Sequence, residues 1–372
     1  MHICIIAPEQ FPVPGDSSVE ICIWAIAERL AEKHKVTIVS RSMPNLPDTE
    51  KLARVEIVRL PAGSPARYRS SVLKYIEGKD FDIFQVDNRP YLLAAVKQKQ
   101  PLTPAVLFLH SLTFVPASDK TAARLARADL IVANSASLQQ RLARRFPRIK
   151  RSIDVVPLGA DLSRFAPVSQ PERLRLWGLH RFPPAFTVLF VGRIIPRKGV
   201  PVLIRAVALL NRHTRAHLIV AGRGKPAYIR RLRQLARRLG VPVTFPGSVP
   251  HEDIHSLYQA ADVFVCPSQR HESFGLVNVE AMASGLPVVA SSNGGIREII
   301  VPGHNGYLVK RYTQALPFAR YLLRLARDPV LAARIGAQGR SDALQTFEWQ
   351  HTADRLEVLY HGFCSEDKQH IE

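Results

Sequence analysis

The sequence contains few cysteines and no hydrophobic run long enough to cross a membrane. Its four cysteines lie far apart and form no C-x-x-C pair: Cys4, Cys22, Cys266 and Cys364. Such a distribution is typical of reduced, mostly buried thiols in a cytosolic protein. A bilayer-spanning helix needs roughly 18 consecutive apolar residues, and residues 1–7 are too short for the apolar core of a signal peptide. The sequence therefore predicts a cytoplasmic protein that begins with a strand.

Acidic residues are also scarce relative to basic ones. The chain has 51 Lys and Arg against 31 Asp and Glu, a net charge of +20, which favours anionic partners. Arginines cluster on amphipathic helical patterns at 141–151 and 230–238. A solvated helix face accounts for both clusters, and docking on the anionic inner face of a membrane is the alternative. Nucleic acid is disfavoured, because neither cluster is interleaved with aromatic residues and no nucleic-acid-binding motif occurs.

The N-terminal half alternates apolar strands with amphipathic helices. Residues 2–7 and 36–40 are predicted strands with a helix at 19–33 between them. Further strands are predicted at 55–60, 81–86, 105–109, 129–133 and 153–156. This alternation predicts an α/β fold with a parallel sheet and helices on both faces. Ligands of such sheets bind beyond the carboxyl ends of the strands.

A strand–loop–helix–strand unit lies between Phe264 and Glu298. Its helix, 277–284, is ended by Gly285 and Pro287, and two acids bracket the turn that leads into it, Glu272 and Glu280. A helix N-terminus binds phosphate, and acids placed this way can accept hydrogen bonds from the hydroxyls of a ribose and of a second sugar. The pattern therefore suits a sugar nucleotide, while a plain structural unit with solvated acids is the alternative.

The run Glu272-Ser-Phe-Gly-Leu-Val-Asn-Val-Glu280-Ala-Met-Ala-Ser-Gly-Leu-Pro-Val-Val, with Gly294-Gly295-Ile-Arg-Glu298 after it, resembles the donor-site signature of retaining GT-B glycosyltransferases of family 4, also called group 1. Members of the bacterial spore-coat-associated type belong to this family. The resemblance implies two Rossmann-like, doubly wound domains that face each other across a cleft. It places an acceptor-side domain at 1–165, completed by a C-terminal helix at 347–363, a linker or hinge at 166–185, and a nucleotide-sugar domain at 186–346.

The same resemblance assigns roles to individual residues. It implies that His110 and Glu272 are catalytic and that Glu280 binds the nucleotide ribose. Residues that it implies for the donor diphosphate are Arg193, Lys198, Gly15, Gly275 and Leu276. Candidate contacts to the sugar or the acceptor are Asp87, Asn88 and Phe274, although a turn-forming role fits Asp87-Asn88 equally well.

The implied reaction moves a sugar from a nucleotide diphosphate sugar, most often a UDP-sugar in this family, to a hydroxyl group with retention at the anomeric carbon. A lipid, a polysaccharide or a protein glycan are all possible acceptors. The donor is a co-substrate, and no metal or other cofactor is required if the two cations neutralise the leaving group. Two alternatives share the fold: a sugar-nucleotide epimerase or phosphorylase, and a non-catalytic spore-coat or structural protein.

One further motif, His251-Glu-Asp-Ile-His255, matches the H-E-x-x-H pattern of zinc proteases. Pro250 is expected to place His251 in the first turn of a helix, and a catalytic zinc needs a third ligand nearby. We therefore interpret this stretch as an ordinary helix that precedes the strand before Glu272.

Overall fold

The computed structural model describes residues 1–8, 18–149 and 153–366. The chain divides into two compact units. Unit 1 consists of Met1–Gly159 and Trp349–Glu372, and unit 2 of Ala160–Glu348. The change from unit 1 to unit 2 comes six residues before the predicted end of the first domain.

Unit 1 is built on a sheet whose strands are β1 (His2–Ile6), β2 (Lys35–Arg41), β3 (Thr49–Leu52), β4 (Val55–Leu60), β5 (Ile83–Asp87), β6 (Ala105–Leu109), β7 (Leu130–Ala133) and β8 (Ile153–Val155). In the described residues their order is β3-β4-β2-β1-β5-β6-β7-β8. All neighbouring pairs are parallel except β3 with β4. The predicted parallel sheet is thus present, with one antiparallel edge strand added.

The first helices of unit 1 are α1 (Ser18–Leu30), α2 (Pro65–Ile76), α3 (Pro90–Lys99), α4 (Asp119–Leu125) and α5 (Ala136–Arg145). Serine side chains cap several of them: Ser118 accepts a hydrogen bond from the amide of Thr121, and Ser135 from that of Leu138. Such caps satisfy amide groups that the helix itself leaves without a partner. They fix the residues at which α4 and α5 begin.

Unit 2 contains the strands β9 (Phe186–Val191), β10 (Ala216–Ala221), β11 (Val243–Gly247), β12 (Val263–Cys266), β13 (Val288–Ser291) and β14 (Gly306–Val309). They form one parallel sheet in the order β11-β10-β9-β12-β13-β14. Its central strands are buried along their whole length, as expected for a parallel sheet that is covered on both faces. The direction of winding reverses between β9 and β12.

The helices of unit 2 are α6 (Gln170–His180), α7 (Val200–Leu210), α8 (Pro226–Arg238), α9 (His255–Ala260), α10 (Leu276–Ala283), α11 (Ile296–Ile299), α12 (Ala315–Arg327) and α13 (Pro329–Thr346). A short 3-10 turn, Pro196–Lys198, precedes α7. At the end of α10, Gly285 has a φ of +74°, which confirms the predicted helix stop.

The predicted linker at 166–185 contains a helix, α6, and falls within unit 2. The amide of Glu172 donates to the Ser169 side chain, and a proline lies in the first turn, where a missing N–H does no harm. The indole Nε1 of Trp177 donates to the carbonyl oxygen of Ala260 at 2.6 Å. Proline-rich flanks concealed this helix in the sequence.

The last helix, α14 (Trp349–Glu366), belongs to unit 1. Its side chains Leu356 and Tyr360 are fully buried. Glu357 accepts hydrogen bonds from Lys33 at 2.8 Å and pairs with His34 at 3.0 Å. In the described part of the chain, no helix is long and apolar enough to cross a membrane.

Candidate functional site

The strand order of unit 2 places two functional loops side by side. β9 and β12 are neighbours in the sheet, and the chain winds away from them in opposite directions. In open α/β sheets, ligands bind at such a reversal, beyond the carboxyl ends of the strands. Arg193 and Lys198 follow β9, and the loop with Glu272 follows β12. The predicted donor residues of unit 2 therefore converge at the position where a ligand is expected.

An ion pair joins the two loops. The Lys198 ammonium nitrogen lies 2.6 Å from Oε2 of Glu272, and the Ser268 hydroxyl donates to the same oxygen at 2.8 Å. Burial alone would raise the pKa of the Glu272 carboxyl, but the Lys198 charge and the two hydrogen bonds outweigh this effect and lower that pKa. Glu272 is therefore a charged carboxylate at neutral pH.

Arg193 lies beside this pair at the protein surface, where neighbouring residues still cover part of its guanidinium. Partial burial of its guanidinium, together with the nearby charge of Arg197, lowers its pKa, while Glu272 acts in the opposite direction. Three cations, Arg193, Arg197 and Lys198, thus lie within six residues of sequence and near one carboxylate, that of Glu272. The loop carries an excess of positive charge, which favours an anionic ligand.

The N-terminus of α10 completes the arrangement. Gly275 precedes it with a φ of +101°, and a Cβ at this position would lie 2.6 Å from Nδ2 of Asn278. Only glycine fits such a conformation without strain. The first amides of a helix, which here start at Leu276, point outward without a partner inside the helix and attract anions.

Glycines allow the neighbouring loops to pack directly on backbone. A Cβ on Gly294 would lie 1.9 Å from the carbonyl oxygen of Glu272, and a Cβ on Gly199 would lie 1.9 Å from that of Pro267. The amide of Gly295 donates to the Glu272 carbonyl oxygen at 2.9 Å. The backbone of Glu272 is therefore held from the β13 side while its side chain is held from the β9 side.

Sequence reasoning missed three polar residues that hold these loops together. Ser268 binds Glu272, as described above. Gln269 donates through Nε2 to the carbonyl oxygens of Pro267 and Tyr312. Asn293 donates to the Arg270 carbonyl oxygen at 2.6 Å. The only signal in the sequence was their position directly after buried strands.

Glu280 lies on α10 and is 4% exposed. The Tyr258 hydroxyl donates to one carboxylate oxygen at 2.7 Å, and Nε2 of His251 lies 3.1 Å from the other. Burial and the Glu280 charge raise the pKa of Tyr258 well above its usual value, so the phenol remains a donor. The carboxylate is thus fixed in orientation by two protein groups, and its role in ribose binding stays a prediction.

The expectation that His251 begins a helix is wrong, because α9 starts at His255 and His251 lies in the turn before it. Among the described residues, His251 and His255 do not belong to any cluster of metal-binding side chains. The one such cluster found there is His34, Glu357 and His361, and Lys33 already neutralises its carboxylate.

Two of the predicted sugar or acceptor contacts, Asp87 and Phe274, are buried side chains. Asp87 is fully buried, with its two carboxylate oxygens bound to His110 at 2.7 Å and Gln85 at 2.9 Å. Phe274 is 4% exposed and packs edge to face on Phe347, with ring centroids 6.0 Å apart. Both side chains contact other residues of the protein, and their contact with a sugar or an acceptor stays a prediction.

The remaining predicted residues lie in or near unit 1. Asn88 has a φ of +58°, and its Oδ1 accepts from the amides of His110 and Ser111, so it has the turn-forming role that was the alternative. His110 follows β6 and is 8% exposed. Gly15 lies outside the described residues.

Sequence reasoning also overlooked a D-x-D triplet, Asp80-Phe81-Asp82. It precedes β5, at the amino ends of the strands. A carboxylate oxygen of Asp82 accepts from the amide of His2 at 2.5 Å. The triplet therefore lies at the edge of the sheet opposite to His110, which follows the carboxyl end of β6.

Comparisons with known proteins agree with this geometry. Residues 180–342 match the family model "Glycosyl transferases group 1", and residues 19–164 match "Glycosyltransferase Family 4". Spore coat protein SA of Bacillus subtilis is 32% identical over 97% of this chain and 99% of its own. This chain belongs to glycosyltransferase family 4.

Other relatives of this family 4 chain are named as enzymes. D-inositol 3-phosphate glycosyltransferase 1 of Catenulispora acidiphila is 31% identical over 95% of this chain and 93% of its own. Anabaena HepE, solved in complex with UDP and glucose, has a TM-score of 0.81 and 22% identity over 97% of this chain and 100% of its own. The fold of this family 4 protein is GT-B, with two parallel-sheet α/β units.

Proposed function

We propose that this protein transfers a sugar from a nucleotide diphosphate sugar, with UDP as the nucleotide, to a hydroxyl group of an acceptor and with retention at the anomeric carbon. The observation that carries the proposal is the Lys198–Glu272 pair, which lies at the reversal of the unit 2 sheet and directly before the N-terminus of α10. A diphosphate and its attached sugar need both a cation and a hydrogen-bond acceptor within a few ångströms of each other. The pair supplies both.

In this proposal the diphosphate is held by cations and helix amides. Arg193 can bind two oxygens with its planar guanidinium, whereas Lys198 supplies a compact charge. Negative charge grows on the leaving diphosphate as the bond to the sugar breaks, so groups placed around it stabilise the transition state more than the ground state. The first amides of α10, at Gly275 and Leu276, add to this stabilisation.

Glu272 is assigned to the transferred sugar. Its carboxylate is an acceptor only, and the Lys198 and Ser268 contacts both fall on Oε2. Oε1 therefore remains the natural acceptor for a sugar hydroxyl. Glu280 is assigned to the ribose hydroxyls, with Tyr258 and His251 holding its carboxylate in place.

Retention is proposed from the family and not from the spacing of the two acids. Both acids serve as donor ligands in this proposal, so the double displacement of retaining glycoside hydrolases does not apply. The acceptor hydroxyl instead attacks from the face on which the diphosphate departs, and the departing phosphate takes up the hydroxyl proton. The bond to the diphosphate oxygen breaks as the bond to the acceptor oxygen forms.

We further propose that transfer requires no metal ion, because Arg193 and Lys198 supply the positive charge that a metal would otherwise provide. Turnover in the presence of excess EDTA should then equal turnover with added Mg²⁺ or Mn²⁺. A loss of activity in EDTA that Mn²⁺ restores would contradict this part of the proposal.

The function is tested first by a thermal-shift screen of nucleotide sugars. A ligand that binds only the folded state raises the melting temperature by an amount that grows with the logarithm of its concentration above Kd, so a UDP-sugar should raise it more than the free sugar does. The active donor is then incubated with candidate lipid, polysaccharide and glycan acceptors, and the anomeric configuration of the product is read by NMR. An inverted product, or no nucleotide sugar that binds, would overturn the proposal.

A non-catalytic structural role is the second candidate, favoured by the full-length match to a protein named as a spore coat component. The paired Lys198 and Glu272 argue against it, since a protein without catalysis has no need to keep this half-buried ion pair at the sheet reversal. A Glu272→Ala or Lys198→Ala variant that folds and transfers sugar as well as the parent would overturn the assignment of these two residues to the donor site. Inversion at C2 of a UDP-sugar without acceptor would instead indicate an epimerase.

We also propose that the protein docks on the anionic inner face of a membrane from the cytoplasmic side. α8 exposes arginines at 230, 231, 233, 237 and 238, and α5 exposes Arg141 and Arg144. Each basic residue near an anionic surface contributes about 1 kcal/mol. The protein should float with vesicles that contain phosphatidylglycerol and not with purely zwitterionic ones.

A further inference from the structure

A chain of buried polar side chains connects α14 with His110 inside unit 1. The Tyr360 hydroxyl donates to Oε1 of Gln85, and Nε2 of Gln85 donates to Oδ2 of Asp87 at 2.9 Å. Oδ1 of Asp87 lies 2.7 Å from Nε2 of His110. Gln85, Asp87 and Tyr360 are all 0% exposed. We call these four side chains the relay.

The direction of each hydrogen bond in the relay follows from Asp87. A carboxylate accepts and does not donate, so Nε2 of Gln85 and Nε2 of His110 must both carry hydrogen towards it. The Gln85 amide then turns its oxygen to Tyr360, which must donate. Burial and the Asp87 charge raise the pKa of Tyr360 well above its usual value, so its hydroxyl keeps the proton that it donates.

The relay therefore selects one tautomer of His110. With hydrogen on Nε2, the neutral imidazole keeps its lone pair on Nδ1. In the described part of the structure, Nδ1 is buried and has no hydrogen-bond partner. A buried polar atom without a partner destabilises the folded state, so this acceptor is suited to a hydroxyl that arrives with a ligand.

Other contacts hold the ring in place. The imidazole stacks on Phe108 with centroids 4.5 Å apart and an interplanar angle of 28°. The His110 amide donates to Oδ1 of Asn88 at 2.8 Å. Rotation of the ring would break the stacking and the bond to Asp87 together, so the position of Nδ1 is fixed along with its tautomer.

Apolar residues would be the simpler choice for Gln85 and Asp87. β5 lies between β1 and β6 in the sheet, and every one of its residues is buried. Residues two apart on a strand share a face, so the two polar side chains line up on the face that Tyr360 approaches. A purely structural role would anchor α14 in the same way, but turnover would then not depend on the tautomer of His110.

We propose that Asp87, Gln85 and Tyr360 are positioning residues that fix His110 with hydrogen on Nε2, so that its Nδ1 accepts a hydrogen bond from a hydroxyl of a bound substrate. The inference rests on the proposed function and on the catalytic role that the family resemblance implies for His110. It adds three residues, one of them from the C-terminal helix, to the groups on which turnover depends.

The test uses Asp87→Asn in the full chain. The new amide presents its oxygen to Gln85 and its NH₂ group to His110, so His110 must accept at Nε2 and move its hydrogen to Nδ1. Long-range ¹H–¹⁵N correlation spectra of histidine-labelled protein distinguish the two tautomers, and the His110 signal is the one that disappears in His110→Gln. We expect Nε2–H in the parent and Nδ1–H in Asp87→Asn.

Asp129→Asn is the matched control. Asp129 lies in the same sheet at the start of β7, where its carboxylate accepts from the amide of Ala105 and pairs with Lys97. This substitution removes a charge from unit 1 without touching the relay, so the His110 tautomer should stay as in the parent. A parent with hydrogen on Nδ1, or an Asp87→Asn variant that keeps it on Nε2, overturns the inference.

Turnover decides whether the tautomer matters for the reaction. For Asp87→Asn, the kcat of UDP release from the active UDP-sugar should fall roughly 10- to 100-fold, the range known for residues that orient a metal-bound histidine through a hydrogen bond. The Kd of UDP should stay within about twofold. A tautomer change with unchanged kcat would overturn the positioning role. If Asp87→Asn does not fold, Tyr360→Phe replaces it and should lower kcat while keeping the Kd of UDP.

The two proposals fail in different ways. Absence of any nucleotide-sugar binding by the parent would refute the proposed function, whereas the tautomer measurement needs no ligand and judges the relay by itself.

Discussion

At the scale of single residues, Glu272 is held through both its side chain and its backbone. Its side chain binds Lys198 and Ser268, and its carbonyl oxygen accepts from the amide of Gly295. A carboxylate held in this way binds a sugar hydroxyl without a large loss of side-chain entropy, since its conformation is already fixed.

The lowered pKa of Glu272 predicts a specific pH dependence of stability. A carboxyl whose folded pKa is below its unfolded value of 4.5 stabilises the protein fully above that value, and the contribution is lost as pH falls through the folded pKa. The melting temperature of the parent should therefore fall more steeply below about pH 4.5 than that of Glu272→Gln. The exposed Glu252→Gln is the control, and parallel curves for the parent and Glu272→Gln would contradict the pKa direction.

The assignment of Glu280 to the ribose predicts that its substitution weakens UDP and UMP equally. A hydrogen bond to a charged group contributes about 1.5–3 kcal/mol, so Glu280→Gln should weaken UDP by roughly 10-fold or more. UMP contains the same ribose and should weaken by the same factor in calorimetric titrations. A loss for UDP that UMP does not share would assign Glu280 to the diphosphate instead.

At the scale of elements, the loops around Glu272 depend on the absence of a Cβ at two glycines. Gly294 has a φ of +58°, and a Cβ there would collide with the Glu272 carbonyl oxygen. Gly303 has a φ of +80° with open space around it. Both sites carry backbone strain for an L-residue, but only the first adds a collision.

This pair of glycines provides a matched comparison. Gly303→Ala should lose about 1–2 kcal/mol of unfolding free energy from the left-handed conformation alone. Gly294→Ala should lose more and should also weaken UDP binding, because Glu272 must move. Equal losses in chemical denaturation for the two variants, with UDP affinity unchanged, would show that the loop contact has no functional role.

The attachment of α14 is a second prediction for elements. Leu356 is 0% exposed, whereas Val358, on the same helix, is 72% exposed. Leu356→Ala should lower the unfolding free energy by about 2–5 kcal/mol through lost burial and the cavity it leaves. Val358→Ala should change it by less than about 0.5 kcal/mol. Similar values for both would mean that α14 contributes little to the stability of unit 1.

The elements that the sequence predicted are those with long apolar runs, and the ones it missed are polar. β6 and β7 were predicted almost to the residue because all their side chains are buried. β3 escaped because it is a short edge strand with mostly exposed side chains, and α6 because prolines flank it. The local sequence pattern does not reveal an element, such as β3, that is stabilised mainly by contacts with a neighbouring strand or helix.

The candidate site shows the same division. Motif spacing gave Arg193, Lys198, Glu272 and Glu280, but their convergence depends on the order of β9 and β12, which no local pattern encodes. Asp87 and Phe274 were assigned to ligands because they stand next to motif residues. Their burial against Gln85 and Phe347 is a property of tertiary packing, so only the structure could reveal it.

At the scale of the whole molecule, the net charge of +20 acts on stability and binding in opposite ways. Self-repulsion destabilises a compact, highly charged chain, and salt screens it over a Debye length of about 10 Å at 0.1 M. Raising NaCl from about 50 to 300 mM should therefore increase the melting temperature without ligand and weaken UDP binding. Potassium chloride serves as the control for ion-specific effects, and a UDP affinity that does not change with salt would contradict charge-based recognition.

The central claim is that cations at the reversal of the unit 2 sheet bind the diphosphate of a nucleotide sugar. Calorimetric titration of UDP into the parent, Lys198→Met and Arg205→Met tests it most directly, since Arg205 is an exposed cation of α7 in the same unit. We predict that Lys198→Met weakens UDP by at least about 10-fold, as expected for the loss of a charged hydrogen bond, and that Arg205→Met leaves the affinity unchanged. Equal affinities for the parent and Lys198→Met would contradict the account.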